Sequence, residues 1–493
     1  NGADTFTYGY LANSNLIQSI TYPSYITSTK SYESNRDLVT SIENKYGTTT
    51  ISKYDYSNDD LGRSTAIGKS GTAFTQADTI AYGYNDKSEV TSAVAQNQAT
   101  YNYEFNYDPL GNRLTSTSTE TGSSVTRNYT SNQLNQYTAI DNPTADPTYD
   151  FDGNMTNDGG SWTYTWDGEN RLASATNGTR TLQFVYDYKS RRVEKKVLDG
   201  ENVSKDERFV YNNYLQIEQL DVLNNNSIEK ARMWGLGGKI ISEVNSSSVS
   251  SYAMGDLSKN ITEYLDASGI IQGHYEYSPF GKVGFSSGSS PDEFDFRFSS
   301  EYFDTEIGLV YYNYRYYNPE LGGWLSREPL AEYISLNLYS FVYNNPLGYY
   351  DYLGEAPTKI NVMTPSMTGG DAISGGGGGG GGITLPFPPI VIPILYPISP
   401  SVPDTETKPI PIPIPVTPGK PPKGVEKCSL RDSSLTPLVS GPYCKCYIGT
   451  CNFVCPKSGR NYIFPSVYYG CNPPTAEEVC ISLFTDQIWM PYP

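Results

Sequence analysis

One unit recurs through the first half of this chain: an aromatic residue followed by a turn of Asp, Gly and Asn. Its cleanest copy is Tyr107-Asp108-Pro109-Leu110-Gly111-Asn112-Arg113-Leu114-Thr115, and later copies open at Tyr129, Tyr149, Tyr164 and Tyr186, separated by 22, 20, 15 and 22 residues. Weaker copies precede it at Tyr8-Gly9-Tyr10 and at Tyr84-Asn85-Asp86. A period of about 20 residues marks stacked supersecondary units. Each copy reads as a strand, a turn and a second strand in which Leu, Thr or Val alternates with polar residues, which is a β-hairpin pattern. A lone hairpin cannot bury its apolar face, so neighbouring copies must pair edge to edge. The expected fold class is all-β: stacked hairpins forming a long, curved sheet.

Composition agrees. Among 493 residues, 44 are Tyr, and broad aromatic side chains suit a pleated, half-buried surface. The net charge of −18 argues against a nucleic-acid partner, because phosphate neutralisation needs clustered Lys and Arg. No run of about 18 apolar residues occurs, so no transmembrane helix is expected. The chain opens at Asn1-Gly2-Ala3-Asp4 without Met or a charged-then-apolar leader, and is expected to be a processed product or a piece of a longer protein.

The densest stretch runs from Phe296 to Glu355. It holds Arg297-Phe298-Ser299-Ser300, Asp304 with Gly308-Leu309, Tyr314-Arg315-Tyr316-Tyr317-Asn318-Pro319, Trp324-Leu325-Ser326, Leu336-Asn337-Leu338-Tyr339 and Asn344-Asn345-Pro346. In that order these pieces resemble the core-associated segment of the Rhs/YD-repeat family, which includes bacterial polymorphic toxins, C subunits of insecticidal toxin complexes and, more distantly, the teneurins. Residues 248–300, with Tyr275-Glu276-Tyr277-Ser278-Pro279-Phe280-Gly281, resemble the family's usual approach to that segment. The resemblance implies that the repeats wind into a hollow shell closing at the core segment.

Members of the family that cut themselves use two Asp and an Arg to release the polypeptide that follows. Matched position by position, the arginine falls on Arg315, the first carboxylate on Glu328 before Pro329, and the second on Asp351. The implied scissile bond lies near Glu355-Ala356. Two carboxylates close together split their pKa values, leaving one as base and one as acid. Glu328 replaces the usual Asp, Asp351-Tyr352-Leu353-Gly354-Glu355 lacks the Pro and Leu of the family signature, and Gly323 stands where Arg is common. The same three residues also fit a second reading, a buried ion pair fixing the closing plug.

Beyond Glu355 the composition changes. Gly375 to Gly382 is an unbroken glycine run, and residues 386–423 alternate Pro with Ile, Val and Leu: a flexible joint followed by a polyproline II spacer. All seven cysteines follow: Cys428, Cys444, Cys446, Cys451, Cys455, Cys471 and Cys480. They suggest a disulfide-stapled module and an oxidising, extracellular destination, with one thiol left over. A zinc site at Cys444, Cys446, Cys451 and Cys455 is the rival reading, although the spacing matches no standard ribbon or finger. The expected domains are a 1–295 repeat shell, a 296–355 core-associated segment, a 356–423 linker and a 424–493 cysteine-rich module.

Other chemistry is sparse. The single histidine, His274, is expected to be an ordinary solvent-facing or sheet residue, and no cofactor or metal is expected. Asp150-Phe151-Asp152-Gly153-Asn154 faintly resembles a calcium loop but reads as a hairpin turn. Two functions follow. In one, a secreted or cell-surface shell encloses, presents or delivers its C-terminal segment, with aspartyl-type self-cleavage. In the other, an extracellular structural or adhesive surface or filament protein, able to self-associate, contacts other cells or surface proteins without catalysis.

Overall fold

The computed structural model describes residues 5–98, 101–120 and 122–360, together with the backbone of strands between Val425 and Pro491. The chain forms two units, Asn1–Ile373 and Ser374–Pro493.

In the first unit, twelve strands from Thr7–Tyr10 to Tyr137–Ile140 pair in sequence order. Fourteen more, from Thr148–Tyr149 to Val283–Ser287, make a second sheet in the same way. Neighbouring strands run antiparallel, and neither sheet pairs its last strand with its first. The fold is all-β, as the repeat pattern requires.

The repeat turn has a fixed geometry. In Asp108–Asn112 the Asp108 N–H donates to the Asn112 carbonyl at 2.9 Å and the Gly111 N–H to the Asp108 carbonyl at 3.0 Å. Asp108 Oδ1 accepts the N–H groups of Leu110 and Asn112 at 2.8 and 2.9 Å. The same backbone closure recurs at Asp59–Arg63, Asp150–Asn154, Asp167–Arg171, Asp187–Arg191 and Asp266–Ile270. Its fourth residue has positive φ, at 78° in Gly62, 86° in Gly111 and 59° in Asn170, which is why Gly and Asn recur at that position. At 150–154 both Asp150 carboxylate oxygens are taken by Asn154, so this stretch is a hairpin turn.

In several units the aromatic residue just ahead of the turn ties it to the one before. Tyr107 Oη donates to the Val90 carbonyl at 2.9 Å, Tyr186 Oη to that of Leu172 at 2.8 Å and Tyr277 Oη to that of Ile261 at 2.6 Å. Trp166 Nε1 does the same to Met155 at 2.7 Å. Each acceptor lies just past the preceding turn. The tyrosine is therefore half apolar filler and half polar clamp.

The segment after Asp295 is threaded between the sheets. Strands Tyr302–Asp304, Leu309–Tyr312, Arg315–Asn318 and Gly323–Trp324 form a small sheet buried on both faces. Tyr302, Leu309, Tyr311 and Tyr316 pack with Leu182, Phe184 and Phe209 of the second large sheet. The alternate residues Val310, Tyr312, Tyr317 and Trp324 pack with Val90 and Phe105 of the first. Alternation along a strand thus turns a continuous aromatic run into a two-sided filling.

In the second unit, strands Asn461–Gly470, Lys445–Val454, Val425–Ser440 and Gln487–Pro491 pair antiparallel in that order. Cys428, Cys446 and Cys451 lie on these strands, in register with Ile488, Tyr469 and Phe464. Cys444, Cys455, Cys471 and Cys480 lie outside the described residues, as do the glycine run and the proline-rich stretch.

Candidate functional site

Arg315 opens the third strand of the small sheet, Glu328 follows its fourth strand, and Asp351 ends the strand Tyr349–Asp351. The fold brings all three together. Arg315 Nη2 donates to Glu328 Oε2 at 2.8 Å and to Asp351 Oδ2 at 3.5 Å, and its guanidinium lies 3.9 Å from the centre of the Trp324 ring. Its side chain is 2% exposed. A third contact reaches the implied cleavage region: Arg315 Nε donates to the Gly354 carbonyl at 2.6 Å.

Asp351 organises the same turn from the other side. Its Oδ1 accepts the N–H groups of Leu353, Gly354 and Glu355 at 3.2, 2.7 and 3.1 Å. Gly354 sits at φ +82°, and a Cβ there would meet the Tyr312 carbonyl oxygen at 2.7 Å, so only glycine lets the turn lie on the Tyr312–Arg315 hairpin. The turn is held to that hairpin by the Tyr314 N–H, which donates to the Leu353 carbonyl at 3.0 Å.

Burial pushes Glu328 up to about 7 against the pull of Arg315. Burial, reinforced by the nearby Asp351 charge, raises Glu355 as well. Near neutral pH the cluster therefore holds one guanidinium and an acid poised at Glu328, beside the Gly354-Glu355 backbone that Asp351 grips. Such a set can polarise a peptide carbonyl, take a proton from water and return one to a leaving nitrogen.

The sequence singled out these residues only by resemblance, and it missed other buried charges. Asp304, fully buried, pairs through Oδ2 with Arg192 Nη1 at 2.6 Å and through Oδ1 with Lys195 at 2.9 Å. The Arg192 guanidinium also lies 4.5 to 6.0 Å from the rings of Phe184, Phe209, Tyr302, Tyr311 and Tyr316. Asp295 similarly joins Lys230 and Arg232. These pairs fasten the threaded segment to the second large sheet.

His274 is a sheet residue, as one half of its expectation held, and the solvent-facing half is corrected: it is fully buried on Ile271–Tyr277. Nδ1 lies 3.1 Å from Glu263 Oε1, and Nε2 lies 3.7 Å from Glu276 Oε1. Burial alone would lower its pKa, but the two carboxylates outweigh that and raise it to about 9. A raised folded-state pKa contributes stability that is complete below the ordinary value near 6.5 and lost as pH climbs through 9. Urea unfolding is expected to show on the order of 3 kcal/mol lost across that window. A His274→Gln variant with the same pH slope would refute the assignment.

Among the described residues no helix is long and apolar enough to cross a membrane, and no cluster of His, Cys, Asp and Glu fits a metal ion.

Comparison with known proteins places the fold. Residues 2–347 match the family described as Teneurin YD-shell. The tRNA3(Ser)-specific nuclease WapA of Bacillus spizizenii is 30% identical over 259 residues, covering 50% of this chain and 10% of that protein. Toxin subunit YenC1 of Yersinia entomophaga is 26% identical over 300 residues, covering 54% of this chain and 30% of that one. The crystal structure of TcdB2-TccC3-Cdc42 superposes with a TM-score of 0.60 at 22% identity, covering 71% of this chain and 19% of that one, which is a likeness of fold. The chain thus spans less than a third of the length of these relatives.

Proposed function

The chain belongs to the teneurin YD-shell family, and from this we propose that it is part of a secreted or cell-surface shell that encloses, presents and releases the polypeptide following its core-associated segment. In this reading residues 1–295 are shell, 296–355 the closure, 356–423 the linker and 424–493 the cargo or display module. Relatives named as a toxin subunit and as a nuclease support delivery over a passive role. Its partners are then other proteins of a larger assembly and the surface of a target cell.

The single observation that carries the reading is the grip of Arg315 and Asp351 on the 353–355 backbone, beside the acid Glu328. Release proceeds by hydrolysis near Glu355-Ala356. Asp351 accepts a proton as a water oxygen bonds to the peptide carbonyl carbon, and Glu328 donates one to the departing nitrogen as the C–N bond breaks. Arg315 stabilises the oxyanion.

One observation favours the alternative, a structural or adhesive surface protein. Asp351 Oδ1 is already occupied by three N–H groups, as in a static ion-pair lock. The two separate on expression. Production of residues 356–493 alone in a bacterial host is expected to arrest growth, while the full chain carrying Asp351→Asn does not. Equal growth in both cultures would remove the delivery reading and leave the structural one.

A further inference from the structure

Lys259 occupies an unusual place. It is the fourth residue of the Asp256–Asn260 turn, with φ +65°, where the other copies carry Gly62, Gly111, Gly153, Asn170, Ser190 or Gly269. A long cationic side chain gains nothing from left-handed backbone, and such strain persists where the surroundings impose it. The side chain turns inward and is 5% exposed, and its ammonium nitrogen has no hydrogen-bond partner. It lies 4.9 and 5.0 Å from the ring centres of Tyr350 and Tyr352.

The nearest acid is Glu301, also buried, with Oε1 4.0 Å from Lys259 Nζ. The two backbones are clamped on either side. Ser300 Oγ donates to the Lys259 carbonyl at 2.8 Å, the Ser299 N–H to Asn260 Oδ1 at 2.8 Å, and the Ile261 N–H to the Arg297 carbonyl at 2.9 Å. An amine and a carboxyl group fixed this close in a buried site have a high effective concentration. Burial favours the neutral form of both: it lowers the Lys259 pKa and raises that of Glu301 well above the usual carboxylate range. Asp351 is close enough for its charge to act on each.

We propose that Lys259 Nζ and the Glu301 side-chain carboxyl condense into an intramolecular isopeptide bond, covalently stapling the repeat sheet to the core-associated segment. The Lys259 amine attacks Glu301 Cδ, and a C–N bond forms. One amine proton is transferred to the departing hydroxyl, which leaves as water when the C–O bond breaks. The amide keeps the second proton, and no oxidant or reductant is involved. The staple joins two parts of the chain on the same side of the implied cleavage point, so its formation is independent of self-cleavage.

Reduced, full-length protein, or its N-terminal product if it has been cut, is expected to be lighter than its sequence by one water. A tryptic digest should yield a branched peptide joining Lys259 to Glu301, with no cleavage after Lys259. Lys259→Arg should restore the mass of the sequence. The wild-type reading stands even if that variant fails to fold. Wild-type protein with the full sequence mass, and ordinary tryptic cleavage after Lys259, overturns the proposal.

Discussion

Replacing Asp304 by alanine is expected to destabilise the 1–373 unit by about 3–5 kcal/mol, because it strands the Arg192 guanidinium away from water and removes one of the carboxylates that hold Lys195. Arg192 and Lys195 are 1% and 2% exposed, and Asp304 is the carboxylate that both touch. Burial by itself raises the Asp304 pKa, yet these two cations overcome it and hold the group below its ordinary value. The charge is thus ionised and committed. Lys195 retains Glu306 at 2.7 Å, but the Arg192 guanidinium keeps only the Tyr316 hydroxyl and aromatic ring faces. Replacing Arg192, Lys195 and Asp304 together by apolar residues of similar volume should recover most of the loss, since uncompensated charge is the main penalty. Denaturant unfolding monitored by tryptophan fluorescence measures both. A loss under about 0.5 kcal/mol for Asp304→Ala would mean that the site is solvated.

The second large effect is expected at Arg315. Lysine keeps the charge but lacks the planar fork, so it cannot hold Glu328, Asp351 and the Gly354 carbonyl at once. Arg315→Lys is expected to slow self-cleavage by at least about 100-fold, the scale for loss of an oxyanion donor, and to lower stability through the unsatisfied carboxylates left behind. Cleavage after dilution from denaturant, followed by gel densitometry, gives the rate. Unchanged cleavage would exclude Arg315 from the chemistry and leave it only its structural pairing.

What the sequence made legible follows from where the constraint sits. The repeat turn was readable because one residue must carry a short side-chain oxygen, Asp or Asn, to accept two N–H groups and another must tolerate positive φ, and both requirements leave a small set of letters at fixed spacing. The tyrosine clamps were not. Their acceptors are backbone carbonyls 17, 14 and 16 residues earlier, and a carbonyl has no letter of its own. Burial of the Tyr311 to Tyr317 run was legible as aromatic density, whereas its division between two sheets depends on strand register. The environment of His274 could have been suspected from Glu276, two positions along on the same strand face. Its other partner, Glu263, faces it only through pairing of the neighbouring strand. Arg315, Glu328 and Asp351 were assembled by resemblance alone; spacings of 13 and 23 residues in loop-rich chain carry no geometric signal.

The most direct test of the account is the intact mass of purified wild-type protein beside Asp351→Asn and Glu328→Gln, after reduction. The proposed chemistry predicts two wild-type pieces broken next to Glu355, with both variants whole; the mass also distinguishes a cut after Gly354 from one after Glu355. Three whole proteins would contradict it, and Arg315, Glu328 and Asp351 would then be only the lock that closes the shell.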